Sequence, residues 1–207
     1  MPTQKTRPSK AVARARTIFR ARRGILRAAE ALRAGIHPRT LYAMRDSGVL
    51  ERLGRGLYRL AEAPPLGDPD LITVALKVPD AVICLISALA FHDLTTQIPH
   101  AVSIALPTGS WTPRVEHPPV EVHEFGGNAY SEGVETHEMD GVPVRIYSPE
   151  KTLADCFRFR NKVGLDTAVE ALRTYGERRK VNVSALMHFA AVCRVARVMR
   201  PYLEALL

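Results

Sequence analysis

With 207 residues, 46% of them hydrophobic, the chain has room for two small domains, or one domain and an appendage, and an ordinary globular composition. Residues 1–60 hold 15 Lys+Arg against the three acids Glu30, Asp46 and Glu51, a net of +12, while residues 61–207 hold 14 against 18 acids, a net of −4. The basic part calls for a polyanionic partner, and the longest apolar run, Ala81 to Phe91, is too short and too interrupted for a membrane-spanning helix.

Residues 1–10 read as a disordered basic arm; they lack the apolar core and cleavage site of a signal peptide. Residues 11–22 place Val12, Ala15, Ile18 and Phe19 on one stripe among arginines, which predicts a first helix. Ala28 to Ala34 are strong helix formers stopped by Gly35. Pro38 suits the first position of a new helix running to about Ser47, with His37 as a candidate cap and Leu41 and Met44 on its inner face. Val49 to Leu53 and Leu57 to Leu60 are apolar runs joined by Gly54-Arg55-Gly56, a hairpin signal. Leu32, Ile36, Leu41, Met44, Leu50 and Leu57 are the expected core of this domain, residues 11–62. Residues 63–69, with three prolines and a glycine, read as a short stiff linker.

The domain at 70–207 opens with a helix over DLITVALKV, for which Asp68 is a candidate cap. A short strand or turn and a helix from about Ser87 to His92 follow, then strands over HAVSIALP and VEVHEF, separated by a proline-rich surface loop. GVETHEM and VPVRIYS flank Asp140-Gly141 as a hairpin, and Ser148-Pro149-Glu150 starts a series of helices that ends the chain, Asn182 capping one of them. The order predicts an α+β protein: an N-terminal winged helix-turn-helix, then an α+β domain with a small, mainly antiparallel sheet and a helical C-terminal third.

In a winged helix-turn-helix the second helix enters the major groove of double-stranded DNA and the hairpin flanks it. That pattern makes Arg22, Arg23, Arg27, His37, Arg39, Tyr42, Arg45, Arg55 and Arg59 candidate DNA-binding residues. His37 divides between capping and base contact, and Tyr42 between packing on the wing and reaching a phosphate.

Other chemistries are weaker. Gly109-Ser110 followed by Glu121-Val122-His123 faintly resembles a nucleotidyltransferase signature, but His123 stands where the second metal-binding carboxylate belongs. His137-Glu138 begins like a zinc-protease motif, yet Gly141 occupies the place of its second histidine. Glu121/His123 and Glu135/His137 read instead as the wet face of a half-buried sheet. Trp111 is either a partner anchor or a loop side chain folded back on its domain. Cys84, Cys156 and Cys193 are widely spaced in apolar settings and read as buried thiols of a reducing compartment. No catalytic residue, metal site or cofactor is expected.

The stretches AGIHPRTLYAMRDSGVLERLGRGLYRL, SALAFHDLT and YSPEKTLADCFRF, with the tail RPYLEALL, resemble the AbiEi-type antitoxins, the regulator halves of type IV toxin–antitoxin pairs in bacteria. The likeness runs over about residues 15–207, and its most specific parts are GVLERLGRGLYRL and SPEKTLAD. The resemblance implies a cytoplasmic autorepressor that binds inverted repeats upstream of its own operon as a monomer or weak dimer, cooperatively. It further implies a second domain that counteracts a nucleotidyltransferase-like toxin without a stable complex. By position it points to Arg39, Thr40, Arg45 and Arg55 as DNA contacts. The alternative is a winged-helix transcription factor with a ligand-sensing C-terminal domain and no toxin partner.

Overall fold

The computed structural model describes residues 9–64, 66–178 and 180–206. The chain divides into two compact units, Met1–Gly67 and Asp68–Leu207. Most of the arm expected over 1–10 lies outside the described residues; of the rest, Ser9 caps the first helix, its hydroxyl accepting from the Val12 N–H at 3.3 Å.

In the first unit the order is α1 (Lys10–Ala21), β1 (Ile25–Arg27), α2 (Ala28–Arg33), α3 (Pro38–Asp46), β2 (Leu50–Gly54) and β3 (Leu57–Leu60). The strands form an antiparallel sheet of order β1-β3-β2. Strand β1 is not anticipated by the sequence, because three residues are too few to show alternation. The β2–β3 turn places Gly56 at φ 70°, a left-handed conformation that favours glycine. The core gathers Ala15 and Phe19 of α1, Ile36, Leu41 and Met44 around α3, and Leu26, Leu50, Tyr58 and Leu60 of the sheet. Leu32, expected inside, is 42% exposed.

Ala63 packs against the first unit's core, and the Asp68 carboxylate accepts from the Leu71 N–H at 3.0 Å, capping the first helix of the second unit.

The second unit runs α4 (Pro69–Lys77), β4 (Val82–Ile83), α5 (Leu85–Phe91), β5 (Val102–Pro107), β6 (Val120–Phe125), α6 (Asn128–Ser131), β7 (Val134–Met139) and β8 (Val142–Tyr147). The helices α7 (Pro149–Arg158), α8 (Arg160–Val163), α9 (Leu165–Gly176), α10 (Val183–Val192) and α11 (Ala196–Leu206) complete it. The sheet order is β6-β5-β4-β8-β7. Pairings β4–β5 and β7–β8 are antiparallel, as expected, but β4–β8 and β5–β6 are parallel, so the sheet is mixed rather than mainly antiparallel. The proline-rich loop at 108–119 carries the chain from the end of β5 back to the start of β6, and a crossover of that length is what parallel neighbours require. Helix α7 is buried along nearly its whole length, against α5, α9 and α10.

Inside α7, Lys151 and Asp155 are both fully buried, with Nζ and Oδ2 2.5 Å apart. The Lys151 ammonium lies 4.0 Å from the centre of the Tyr147 ring and 4.9 Å from that of Phe125, and the Cys193 thiol donates to the other Asp155 oxygen at 3.2 Å. Burial raises the Asp155 carboxyl from 3.8 to about 6, while Lys151 and Cys193 hold it down. The three cysteines are free and buried, and burial pushes each thiol up, away from the reactive thiolate. No helix among the described residues is long and apolar enough to cross a membrane.

Candidate nucleic-acid interface

Helix α3 is set by its own sequence. The His37 Nδ1 accepts from the Arg39 N–H at 3.2 Å, closing the N-terminus, and Pro38 follows at the first position, where its missing N–H costs nothing. A ring with Nδ1 as acceptor carries its proton on Nε2, so the exposed side of His37 is a donor. Leu41 and Met44, 1% and 0% exposed, pin one face to the core. The 3.6-residue period then places Arg39, Tyr42, Ala43 and Asp46 on the opposite, exposed face.

Each candidate has a definite setting. Arg39 is exposed and has no ion pair among the described residues, and Thr40 is half-buried beside it. Tyr42 is 45% exposed rather than packed on the hairpin. The Arg45 guanidinium stands 5.2 Å from the centre of the Tyr42 ring and 2.6 Å from the Asp46 carboxylate. The hydrogen bond from Arg45 to Asp46 raises its pKa further above an already high value. Arg55 is exposed at the tip of the hairpin, and Arg22 is exposed just after α1. Arg23, also exposed, holds φ 55° in the turn that leaves α1. Arg27 is half-buried, and its N–H donates to the Glu30 carboxylate at 2.8 Å to start α2.

Arg59 is a correction. It is 6% exposed, with its guanidinium donating to Glu51 at 3.0 Å, to the Ala63 carbonyl at 2.7 Å and to the Pro64 carbonyl. The reason is tertiary: Arg59 stands on the face of the sheet opposite Tyr58 and Leu60, and the chain at Ala63 and Pro64 closes over it, so the guanidinium meets carbonyls instead of solvent. Arg59→Met is therefore expected to cost folding stability, about 2 kcal/mol, mostly from the carbonyl bonds because Glu51 is half exposed. Urea unfolding of the full chain, compared with operator affinity under folded conditions, checks this. A large affinity loss with unchanged stability would refute it.

Arg52, Arg16 and Arg20, not among the candidates, also have definite settings. Arg52 lies exposed on β2 and donates to the Gly54 carbonyl at 3.2 Å. Arg16 and Arg20 of α1 converge on Glu62 at 3.1 and 2.7 Å. No local spacing foretells that contact across more than forty residues. Counting Glu62 (15 Lys+Arg against 4 acids), the unit carries +11. Its four acids are engaged: Glu30 caps α2, Asp46 meets Arg45, Glu51 meets Arg59, and Glu62 binds the α1 arginines. Arg22, Arg39 and Arg55 have no acid partner among the described residues.

The candidates of the second unit resolve differently. His137 lies 3.2 Å from Glu135, and no group of three or more His, Cys, Asp or Glu among the described residues is placed to hold a metal ion. His123 does not share a wet face with Glu121: it is 7% exposed. Trp111 is 84% exposed and does not fold back on its domain.

Comparison with known proteins adds three findings. Residues 13–61 match the family model described as transcriptional regulator, AbiEi antitoxin. The fold is similar to that in the crystal structure of the Rv2827c protein from Mycobacterium tuberculosis, with a TM-score of 0.60 at 15% identity, over 96% of this chain and 82% of that one. No curated protein matches the sequence.

Proposed function

We propose that the protein is a DNA-binding transcriptional regulator and the antitoxin of a type IV toxin–antitoxin pair. In this reading α2 and α3 are a helix-turn-helix, the β2–β3 hairpin is its wing, and the protein represses its own operon by binding inverted repeats upstream of it. The observation that carries the proposal is the split face of α3. Leu41 and Met44 fix it to a core while Arg39 and Tyr42 face outward, in a unit of net +11 whose segment 13–61 matches a family of transcriptional regulators. Arginines neutralise phosphates and supply most of the affinity; a few base contacts from residues 37–46 select the sequence. The antitoxin half rests on that family match, and its expected counterpart is a nucleotidyltransferase-like toxin opposed without a stable complex.

The expected result is that the purified full chain binds its own upstream DNA with log affinity falling linearly in log salt. For about five phosphate contacts the slope is about −4.5. Fluorescence anisotropy across a salt series measures it, and a flat dependence would sink the mechanism. For the antitoxin half, the adjacent reading frame should encode a nucleotidyltransferase-like protein whose toxicity co-expression relieves without co-purification. A second reading, a regulator whose C-terminal unit senses a small molecule, is favoured by one feature of that unit, the cleft around His123.

A further inference from the structure

The turn that carries the chain from α2 into α3 is held at both ends. Gly35 adopts the left-handed conformation, φ 86°, and the Ile36 N–H donates to the Ala31 carbonyl at 3.0 Å while the Ile36 side chain is buried. On the other side Pro38 fixes its own φ, and the His37 carbonyl accepts from the Thr40 and Leu41 N–H groups at 2.9 and 3.1 Å. His37 therefore stands at a fixed place at the exposed start of α3, two residues before Arg39. Its ring is fixed as well, because Nδ1 accepts from the Arg39 N–H.

The cap decides which chemistry the ring can offer. A ring that accepts at Nδ1 carries no charge and keeps its proton on Nε2, so toward solvent it presents one N–H donor and no acceptor. Holding the ring in one rotamer beforehand lowers the entropy cost of using that donor. On a phosphate, an uncharged donor displaces no counterion and adds little affinity. On a base edge it selects. Cytosine offers only an amino donor in the major groove and is refused, and thymine sets its O4 beside a methyl group that crowds an imidazole. Purine N7 is the acceptor that a single rigid donor fits, whereas the Arg39 fork suits a pair of acceptors such as guanine N7 and O6.

We propose that His37 is a specificity-determining residue of α3: its Nε2–H donates to the N7 of a purine in the major groove of double-stranded DNA, while its Nδ1 caps the helix. This rests on the DNA-binding reading of α3. It adds that the sequence selected by α3 holds a purine beside the base that Arg39 meets.

The test uses the full chain and a duplex of its own upstream DNA. The duplex is footprinted, then remade with each protected purine in turn replaced by its 7-deaza analogue, which keeps base pairing and loses the N7 acceptor. Fluorescence anisotropy reads the affinities of the parent protein and of His37→Ser. Serine keeps the cap, as Ser148 does before Pro149 at the start of α7, where its hydroxyl accepts from the Lys151 N–H at 3.3 Å, and it is too short to reach a base. The expected result is a purine position at which the deaza analogue weakens the parent about fivefold, the scale of one uncharged hydrogen bond, and weakens His37→Ser no further. The salt slope and melting temperature of His37→Ser should match the parent's. Losses that add at every position overturn the proposal, as does a His37→Ser variant with the parent's affinity and selectivity. A parent indifferent to every deaza replacement overturns it without the variant. So does a His37→Ser cost that couples to a methylphosphonate in the backbone instead of a deaza base, which would make His37 a phosphate contact. If the parent leaves the upstream duplex unbound, the DNA-binding reading falls and this inference with it. If it binds without the His37 coupling, this inference alone falls.

Discussion

Lys151→Met is expected to destabilise the protein by about 3–5 kcal/mol, the cost of leaving a buried charge without its partner. Both members of the Lys151–Asp155 pair are fully buried, and Lys151 also sits over the Tyr147 and Phe125 rings. The loss should depend on pH, with a sign that follows from Asp155. Its folded carboxyl is raised from 3.8 to about 6, so the folded state keeps a proton that the unfolded chain releases. The stability Asp155 contributes is full below about pH 4 and is lost as pH rises through about 6. Without Lys151 the carboxyl rises further, so the loss continues to higher pH and the gap from the parent protein widens by up to about 1.4 kcal/mol per pH unit. Urea unfolding of both proteins at pH 5 and pH 8 measures the gap. The double change Lys151→Met with Asp155→Leu should recover most of it, since apolar replacement of a whole buried pair is often neutral or stabilising. A gap that is constant with pH, or a single variant as stable as the parent, would show that the pair is not energetically coupled.

Arg39→Ala should weaken binding to the operator by about 1–3 kcal/mol, roughly five- to 150-fold, with little change on unrelated DNA. Arg39 is the exposed arginine of α3 without an acid partner among the described residues, unlike Arg45, which stands against Asp46. It sits in the first turn of the helix, just after the cap made by His37, where recognition helices meet base edges. Folding should be unaffected, which separates this variant from Arg59→Met. Anisotropy titrations on operator and scrambled duplexes decide the matter. An equal drop on both, with a salt slope smaller by about one, would make Arg39 a phosphate contact; unchanged affinity on both would remove α3 from the interface.

Local chemistry carries a good part of the architecture. Pro38, His37 and the Leu41/Met44 spacing define α3, and Gly54-Arg55-Gly56 and Asp140-Gly141 define two turns, because caps, turn residues and periodicity act within a few positions. Charge along the chain likewise marks residues 1–60 as the part suited to a polyanion. These features need no knowledge of which elements become neighbours.

Tertiary structure decided everything that depends on pairing. The chain at Ala63 and Pro64 closed over the β3 face that carries Arg59, and that turned it from an expected DNA contact into a buried tie between Glu51 and those carbonyls. Glu62, outside the basic segment by count, neutralises two α1 arginines from more than forty residues away. Packing against the Phe159 ring buried His123 where alternation placed it in water, and the close helix packing around α7 put Lys151 and Asp155 in the interior, where an i,i+4 pair reads as surface charge. The physical reason is the same in each case. A side chain's burial and partners are set by strand neighbours and facing helices, and sequence spacing fixes only the face on which it stands.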